Sequence, residues 1–328
     1  MGTLFAIGEV LIDFIPLEKG KALKDVKSFE RAAGGAPANV AAAAATLGAN
    51  ASVITKLGND AFGDFLIDQL VSVGVQTNLI KRTNEANTGL AFVSLQDDGE
   101  RDFSFYRNPS SDLLLTEEEI DPSVFTSRDI LHFGSVDLIE SPMKHAHLRA
   151  IDEMKKKGGL ISFDPNVRLP LWKDHEQYRC TIQSFIPKSD LLKISEDELE
   201  FITGIQDKEK AISSLFTGDV QAILYTKGKQ GAQLLLKDRS FDSDGYQVDA
   251  QDTTGAGDAF MGAFLYQLIQ HGVQKEKLCS ILIENNKTLL QFANASGALT
   301  TTQKGAFPAL PSLRDVQQCM RRGMKSNV

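Results

Sequence analysis

The residues best suited to chemistry lie together at 248–260, in the sequence VDAQDTTGAGDAF. After Asp258, apolar residues recur every four positions, at Phe260, Phe264 and Leu268. This spacing predicts a helix whose N-terminus lies at Gly255, Ala256 and Gly257, where unpaired N–H groups and the helix dipole favour a phosphate or an oxyanion. Asp258 is then placed to accept a proton from an attacking hydroxyl. The stretch predicts a phosphoryl-transfer site; the alternative is a plain turn before a helix that carries an aspartate in its first turn.

A second group of polar residues lies near the N-terminus. Gly34 and Gly35 precede an alanine-rich helical run in the sequence GGAPANVAAAAATLG, and Asn39 falls in the first turns of that run. Upstream, LFAIGEVLIDFIP alternates as a strand that we expect to end at Asp13, before Pro16. A carboxylate at a strand end, a glycine pair and an amide at a helix start supply donors and acceptors suited to a polyol. Taken singly, they fit a solvated aspartate, a plain turn and a helix-entry asparagine equally well.

The elements that would position these residues alternate along the chain. Strands are predicted at 52–58, 129–136, 160–166, 191–195 and 222–228, and helices between them at 61–73, 142–157, 177–186 and 196–203. This alternation predicts an α/β fold with a mainly parallel central sheet covered by helices on both faces. Sites in such sheets lie beyond the C-terminal ends of the strands, where Asp13, Asp164 and Ser195 are expected to converge. No repeat or linker divides the chain, so residues 1–328 are expected to form one domain.

A different pattern occurs at 88–107, where TGLAFVSLQ and RDFSFYR alternate on either side of Asp98 and Gly99. This pattern predicts a β-hairpin. Together with 14–33, which has no helical pattern, it forms a candidate β-lid that would exclude water from a site beneath it. The alternative is a surface hairpin.

Composition limits the classes of partner. The chain has 35 basic and 43 acidic side chains and a formal net charge of −8, which disfavours binding to nucleic acid or to an anionic membrane. Cys180, Cys279 and Cys319 match no metal-ligand spacing and are expected to be reduced thiols of a cytoplasmic protein. No apolar run approaches the roughly 20 residues of a membrane helix. The N-terminal region carries acidic residues where a signal peptide would be basic. Small-molecule substrates are therefore expected.

Two motifs in this chain resemble the signatures of a known family. GGAPAN near the N-terminus and DTTGAGDAF near the C-terminus are similar to those of the ribokinase-like (PfkB) carbohydrate kinases. The segments at 88–115, at 163–172 (FDPNVRLPLW) and at 191–204 (LLKISEDELEFITG) resemble the fructokinase branch in particular. The resemblance runs from residue 4 to residue 311. It implies a ribokinase-like fold and an ATP-dependent kinase that converts D-fructose to fructose 6-phosphate.

The resemblance also implies a role for individual residues. Catalysis falls to Asp258 as the base and to the N–H groups of Gly255, Ala256 and Gly257. The residues expected to bind the sugar are Asp13, Gly34, Gly35, Asn39, Tyr106, Arg107 and Arg168. Those expected to bind the nucleotide are Lys193, Ser195, Glu198, Thr226, Gly228, Gly231 and Asn294. Two positions depart from the family: Ala36 replaces the lysine of ribokinases, as it does in fructokinases, and Ser195 replaces an asparagine found in many relatives.

The implied cofactors are ATP, Mg²⁺ and a monovalent cation such as K⁺. Glu198 matches the family's glutamate that orders water around Mg²⁺ and the phosphates. By the same analogy, Asp252 and Thr254, together with the carbonyl groups of Thr300, Gln303 and Gly305, hold the K⁺. A homodimer formed through the lid is also implied.

Two other functions remain open from the sequence. A 2-keto-3-deoxygluconate kinase is the nearest, because those kinases also carry a tyrosine and an arginine near the substrate, and Tyr106 and Arg107 fit that pattern; FDPNVRLPLW favours fructose. A sugar-sensing protein built on a disabled kinase is the other. The intact Asp258 with its Gly-Ala-Gly argues against a sensor, which has no need of the base.

Overall fold

A computed structural model describes residues 2–18, 20–95 and 101–325 of the chain. Its strands are β1 (Thr3–Ile7), β2 (Leu11–Pro16), β3 (Phe29–Gly34), β4 (Asn50–Gly58), β5 (Ile80–Thr83), β6 (Leu90–Leu95), β7 (Arg101–Tyr106), β8 (Ile130–Phe133), β9 (Leu160–Phe163), β10 (Leu191–Ser195), β11 (Ala222–Thr226), β12 (Ala232–Leu235) and β13 (Ser240–Ser243). Its α-helices are α1 (Ala36–Thr46), α2 (Ala61–Ser72), α3 (Pro142–Lys156), α4 (His175–Phe185), α5 (Glu196–Thr203), α6 (Lys208–Ser214), α7 (Ala256–Gln270), α8 (Leu278–Thr300) and α9 (Leu313–Lys325).

The larger sheet has the strand order β13-β12-β11-β10-β9-β8-β1-β4-β5. Its strands are parallel except where β12 pairs antiparallel with β11 and with β13. Strand β1 pairs with β4 on one side and with β8 on the other, so the chain changes direction across the sheet at β1. A crevice opens beyond the carboxyl ends of the strands at such a switch point. The predicted mainly parallel sheet is confirmed.

Two hydrophobic cores cover the two faces of this sheet. One contains side chains of α1, α2, α7 and α8, among them Val40, Leu66 and Phe264. The other contains side chains of α3, α4 and α5, among them Met154 and Ile182. The prediction of helices on both faces is therefore confirmed. Within the described residues, no helix is long and apolar enough to cross a membrane.

Helices α1 and α7 cross at very short range. A Cβ atom on Gly262 would lie only 2.6 Å from the carbonyl oxygen of Val40 and 2.7 Å from the Cβ of Ala43, so only glycine permits this approach. Because the early residues of α1 face the early residues of α7, the crossing brings the N-terminal turns of the two helices together. These are the turns that carry Asn39 and Asp258.

The second sheet has four strands in the described residues, in the order β3-β2-β6-β7. Both stretches predicted as lid segments contribute to it, 14–33 through β2 and β3 and 88–107 through β6 and β7. The rings of Phe14, Phe29 and Phe92 pack together on it, with the centroids of Phe14 and Phe92 4.7 Å apart. The predicted hairpin strands are antiparallel, whereas the turn at Asp98 and Gly99 lies outside the described residues.

One strand prediction was wrong. The apolar run that we expected to form a single strand ending at Asp13 is two strands, β1 in the larger sheet and β2 in the smaller one. Gly8, with φ of +148°, lies between them, and Asp13 lies in the middle of β2. Alternation could not reveal the break, because each half buries an apolar face in its own sheet.

Candidate active site

The predicted base and the predicted amide meet in this structure. The amide Nδ2 of Asn39 donates a hydrogen bond to Oδ2 of Asp258 at 2.8 Å, and the Asp258 residue is only 9% exposed. Burial raises the pKa of the Asp258 carboxyl, while the Asn39 amide and the charges of Arg168 and Lys193 act in the opposite direction. The result is a carboxylate more basic than one in water, held in a fixed orientation.

The predicted anion hole falls on the first turn of α7. Gly255 is the N-cap of this helix and Gly257 is exposed at its first turn. The N–H of Ala256 is directed at the Thr253 carbonyl at 3.3 Å, a long bond that a bound phosphoryl group would have to replace. The ammonium of Lys193 lies 3.7 Å from where a Cβ on Gly257 would stand. A helix N-terminus and a fixed positive charge therefore face the same space, as anion binding requires.

Lys193 is held by buried Asp164, which was expected to lie near the site but was given no role there. Its Nζ lies 2.8 Å from Oδ2 of Asp164, and both side chains are buried. Burial alone would lower the pKa of Lys193, but the carboxylates of Asp164 and Glu198 outweigh it and raise that pKa, so the ammonium is charged at neutral pH. Burial also raises the pKa of Asp164 to about 6, against the attraction of Lys193. The sequence signal that could have assigned Asp164 to the site was its position, since it directly follows the buried strand β9.

Ser195 and Glu198 form a capping box at the start of α5. Oε2 of Glu198 accepts bonds from the backbone N–H and the hydroxyl of Ser195 at 2.9 Å and 2.7 Å. Its Oε1 accepts a bond from the N–H of Val167 at 2.6 Å. Burial would raise the pKa of Glu198, but Lys193 and these bonds lower it overall, so the side chain is ionised. Serine at this position therefore caps the helix and fixes the glutamate.

The predicted sugar side is assembled around β2, β3 and α1. A Cβ on Gly34 would stand 2.1 Å from Oδ2 of Asp13, so the aspartate lies directly against the Gly34 backbone. Oδ1 of Asn39 is buried and has no hydrogen-bond partner. Arg168 lies close enough to Asp258 to lower its pKa, and its Nη1 donates to the Val167 carbonyl at 3.0 Å. The two motifs and Arg168 are thus brought to one place.

Tyr106 and Arg107, also predicted to bind sugar, have other surroundings. Tyr106 is 64% exposed at the end of β7, with its ring packed edge-on to Phe92. The Arg107 guanidinium is buried and forms ion pairs with Asp112 and Asp137. Its predicted role as a direct sugar ligand therefore stays a prediction.

The predicted nucleotide residues lie along the neighbouring strand ends. Thr226 ends β11, Gly228 begins the turn that follows, and Gly231 precedes β12. The amide of Asn294 donates to the carbonyls of Ser243 and Asp244 at 3.1 Å and 3.2 Å. It therefore braces the segment that borders a cavity of about 1190 Å³ between 242–248, α8 and α9.

Direct hydrogen bonds join only some of the residues predicted to bind the cation. Oδ1 of Asp252 accepts bonds from the N–H and hydroxyl of Thr254, and its Oδ2 accepts a bond from the N–H of Gly305 at 3.1 Å. The Thr300 hydroxyl donates to the Ser296 carbonyl, and Gln303 is exposed. In the described part of the chain, no group of three or more His, Cys, Asp or Glu residues is arranged to hold a metal ion.

Comparisons with known proteins agree with this geometry. The family model "pfkB family carbohydrate kinase" matches residues 1–313. Fructokinase-1 of Zea mays is 42% identical over 97% of this chain and 97% of its own. The structure superposes on the Xylella fastidiosa fructokinase with bound ATP with a TM-score of 0.90 at 34% identity, covering 98% of this chain and 99% of that one. It also superposes on a double mutant of the Vibrio cholerae O395 fructokinase in its fructose, ADP and potassium ion bound form, with a TM-score of 0.85 at 32% identity and 98% coverage of both chains.

The matched region contains the first turns of α1 and α7, which carry the hydrogen bond between Asn39 and Asp258. The match also includes the larger sheet and all the predicted site residues. The chain therefore belongs to the pfkB family of carbohydrate kinases.

Proposed function

We propose that this carbohydrate kinase is an ATP-dependent fructokinase that converts D-fructose to fructose 6-phosphate. The observation that carries the proposal is the buried hydrogen bond between Asn39 and Asp258. It joins the motif proposed to bind the polyol to the motif proposed to transfer the phosphoryl group. The names of the similar proteins support fructose as the sugar.

The proposed reaction is a direct transfer of the γ-phosphoryl group. The O6 hydroxyl of the sugar attacks the γ-phosphorus, its proton passes to Oδ1 or Oδ2 of Asp258, and the bond from phosphorus to the ADP oxygen breaks. Charge developing on the phosphoryl oxygens is stabilised by the N–H groups of Gly255, Ala256 and Gly257. Lys193 adds a positive charge beside them.

The sugar is proposed to bind between the second sheet and α1. Asp13 accepts hydrogen bonds from sugar hydroxyls, and the backbone of Gly34 and Gly35 allows the ring to approach closely. Asn39 is suited to the same task, because its Nδ2 already donates to Asp258 while its buried Oδ1 can accept a hydrogen bond from the sugar. The guanidinium of Arg168 suits an oxygen-rich ligand. The sheet β3-β2-β6-β7 would then act as the lid that excludes water.

The nucleotide is proposed to lie along the ends of β10, β11 and β12. Lys193 and the loop with Thr226, Gly228 and Gly231 would contact the phosphates and ribose, and Asn294 lies near the base. Mg²⁺, when bound with the nucleotide, neutralises phosphate charge. Glu198 fits that ion only through water, because both of its oxygens already accept bonds from the backbone and Ser195.

The monovalent cation site is proposed at Asp252, Thr254 and the carbonyls of Thr300, Gln303 and Gly305. Its support is the bonding of Asp252 to Thr254 and Gly305, which joins the loop before α7 to the loop after α8. An ion there would fix the anion hole next to it. The potassium-bound relative named above supports the choice of ion.

We also propose a cytoplasmic enzyme that forms a homodimer through the second sheet. Two of the most exposed large apolar side chains belong to that sheet or follow it directly, Leu17 at 64% and Tyr106 at 64% exposure. An interface between two copies through that sheet would cover both side chains. Light scattering after size-exclusion chromatography measures the mass, and replacement of Leu17 by Glu should yield monomers.

The experiment that tests the proposed function is a sugar panel assayed with ATP and Mg²⁺, followed by phosphorus NMR of the product. Fructose should exceed glucose, ribose and adenosine in kcat/KM, because a site that hydrogen-bonds particular hydroxyls can reject analogues by factors of up to about 10⁴. The product signal should couple to the C6 protons. A signal coupled to the C1 protons, or preferred turnover of 2-keto-3-deoxygluconate, would refute the fructose 6-kinase assignment.

A further inference from the structure

Within the described residues, the chain crosses four times between the larger sheet and the sheet β3-β2-β6-β7. It leaves at residues 8–10 and returns at Gly35, then leaves at 84–89 and returns at 107–110. Glu9 lies on the first crossing and Arg107 on the last. With Asp112 and Asp137, they form a buried group that we call the crossing cluster.

Arg107 attaches the end of β7 to the body of the protein. Its guanidinium pairs with Asp112, in the short 3₁₀ turn that packs on β4 and α3, and with Asp137, in the loop after β8. The Arg107 side chain is only 6% exposed and both aspartate side chains are 1% exposed. The Ser110 hydroxyl also donates a hydrogen bond to Asp112. The planar Arg107 guanidinium binds two carboxylates, and this crossing is thereby fixed to the body of the protein.

Glu9 attaches the first crossing to the second. Its Oε1 accepts a bond from the N–H of Ala36, the first residue of α1, at 3.0 Å, and the residue is 3% exposed. The same carboxyl is within electrostatic reach of Asp137 and Arg107. One buried cluster thus holds the chain where it leaves the larger sheet, where it returns to α1, and where it returns from β7.

We propose that Glu9 and Arg107 are positioning residues for the sugar site, which hold the Gly34–Gly35 segment and Asn39 in register with Asp258. Neither has to touch the sugar to do so, since Ala36 lies between the glycine pair and Asn39. Displacing reacting groups by about 1 Å can cost about 10²-fold in rate, so a remote anchor of this kind is consequential. The inference rests on the proposed function only in taking this segment as the sugar side.

The charges of the cluster suit a partly protonated state. Three carboxyls, those of Glu9, Asp112 and Asp137, face one guanidinium, and unpaired buried charge is costly. Burial and then Asp137 raise the pKa of Glu9 to about 8, despite the attraction of Arg107. Burial also raises the pKa of Asp137 to about 7. Between the ordinary pKa of each carboxyl and these raised values, the folded protein keeps a proton that the unfolded chain releases.

The first test is hydrogen exchange of the sugar-free protein. Arg107→Lys keeps the charge but loses the planar fork, and we expect faster exchange in peptides covering 8–10 and 34–39. Arg179→Lys, on α4 with a partly exposed side chain, is the matched control and should leave these peptides unchanged. Unchanged exchange in Arg107→Lys, or a sugar-dependent change only, would overturn the proposal and favour direct sugar binding by Arg107. Because no sugar is present, this result does not depend on which sugar is phosphorylated.

Kinetics of the same variants give the second readout. For Arg107→Lys we expect a rise of about 10-fold or more in KM for the sugar, with KM for ATP changed by less than about twofold. Equal rises in both KM values would contradict a role on the sugar side. A wild-type enzyme inactive on fructose but active on another sugar would refute the proposed substrate, while the exchange test still decides the role of Arg107.

Glu9→Gln keeps the test decisive if Arg107→Lys fails to fold. Glutamine still offers an oxygen to the Ala36 N–H but cannot ionise. Since the folded pKa is raised, wild-type stability should fall as pH rises from about 4.5 to about 8. The Tm of Glu9→Gln relative to wild type should therefore increase across this window, whereas the exposed Glu176→Gln should show no such trend. A constant difference in Tm would contradict the raised pKa of Glu9, and unchanged hydrogen exchange of Glu9→Gln in the peptide covering 34–39 would overturn the positioning role.

Discussion

Replacement of Asp258 by Asn is the most direct test of the proposed chemistry. The side chain is only 9% exposed, and its Oδ2 accepts the 2.8 Å bond from Asn39. An asparagine is nearly isosteric and can present its own Oδ1 to the same donor. The substitution therefore removes the proton acceptor while it keeps the bond that joins α1 to α7.

The expected effect on rate is large. General-base catalysis contributes about 10²- to 10⁴-fold, which corresponds to roughly 3 to 5 kcal/mol of the barrier. The substitution also turns an N–H₂ donor toward the sugar hydroxyl that should lose its proton. We therefore expect kcat to fall by at least about 10²-fold, with KM for ATP little changed.

The expected effect on stability has the opposite direction. The folded pKa of Asp258 is raised above its ordinary value, first by burial, so the folded state disfavours the ionised form. Wild-type stability is then reduced as pH rises through the unfolded and then the folded pKa. Asp258→Asn should be at least as stable as wild type at pH 8, and this advantage should disappear in acid below the unfolded pKa.

The assay couples ADP release to a spectroscopic signal at saturating sugar and MgATP, with Tm measured on the same samples. The control is Asp197→Asn, which removes an exposed carboxylate from the first turn of α5 and should leave kcat unchanged. A folded Asp258→Asn enzyme with kcat within about threefold of wild type would refute the assignment of the base.

Three further perturbations separate the sugar, metal and cation sites. Asp13→Ala should raise KM for the sugar by about 10-fold or more and leave KM for ATP nearly unchanged, because it removes the carboxylate beside Gly34 that accepts hydrogen bonds from the sugar. The control is Asp25→Ala, at an exposed position, and an unchanged sugar KM in Asp13→Ala would contradict the role. Glu198→Gln should increase the Mg²⁺ concentration needed for half-maximal rate, since it removes an ionised acceptor for metal-bound water, and an unaltered Mg²⁺ titration argues against it. Activity in Tris–Mg²⁺ buffer should rise when K⁺ replaces Na⁺, and Asp252→Asn should abolish that difference; equal rates of the wild type in both salts would exclude a K⁺-selective site.

Local patterns were sufficient to predict the elements that carry the two motifs. The four-residue spacing after Asp258 predicted α7, and the alanine run after Gly35 predicted α1. The strand predicted at 191–195 has the observed bounds of β10, because its ends coincide with a buried apolar run and a capping box. In these cases the information lies within one turn of helix or one strand.

Contacts between distant segments could not be predicted in the same way. The pairing of Lys193 with Asp164 depends on the register of β9 and β10, and the ion pairs of Arg107 depend on how the second sheet returns to the first. Asp13 was misplaced for the same reason, since a strand that changes sheet keeps its alternation. Sequence pattern indicates which residues are polar and near strand ends, whereas the crossing geometry decides which of them meet.

The hydrogen bond from Asn39 to Asp258 shows how the crossing geometry resolves two ambiguous motifs. Each motif alone fits a turn before a helix, and 219 positions separate the two residues. Their meeting requires α1 and α7 to touch, which Gly262 permits because any Cβ there would strike the Val40 carbonyl. Once the amide Nδ2 of Asn39 is committed to Asp258, its Oδ1 remains a buried acceptor without a partner. An unsatisfied buried acceptor is costly to a protein, and a sugar hydroxyl that donates to it would be held next to the base that takes the proton.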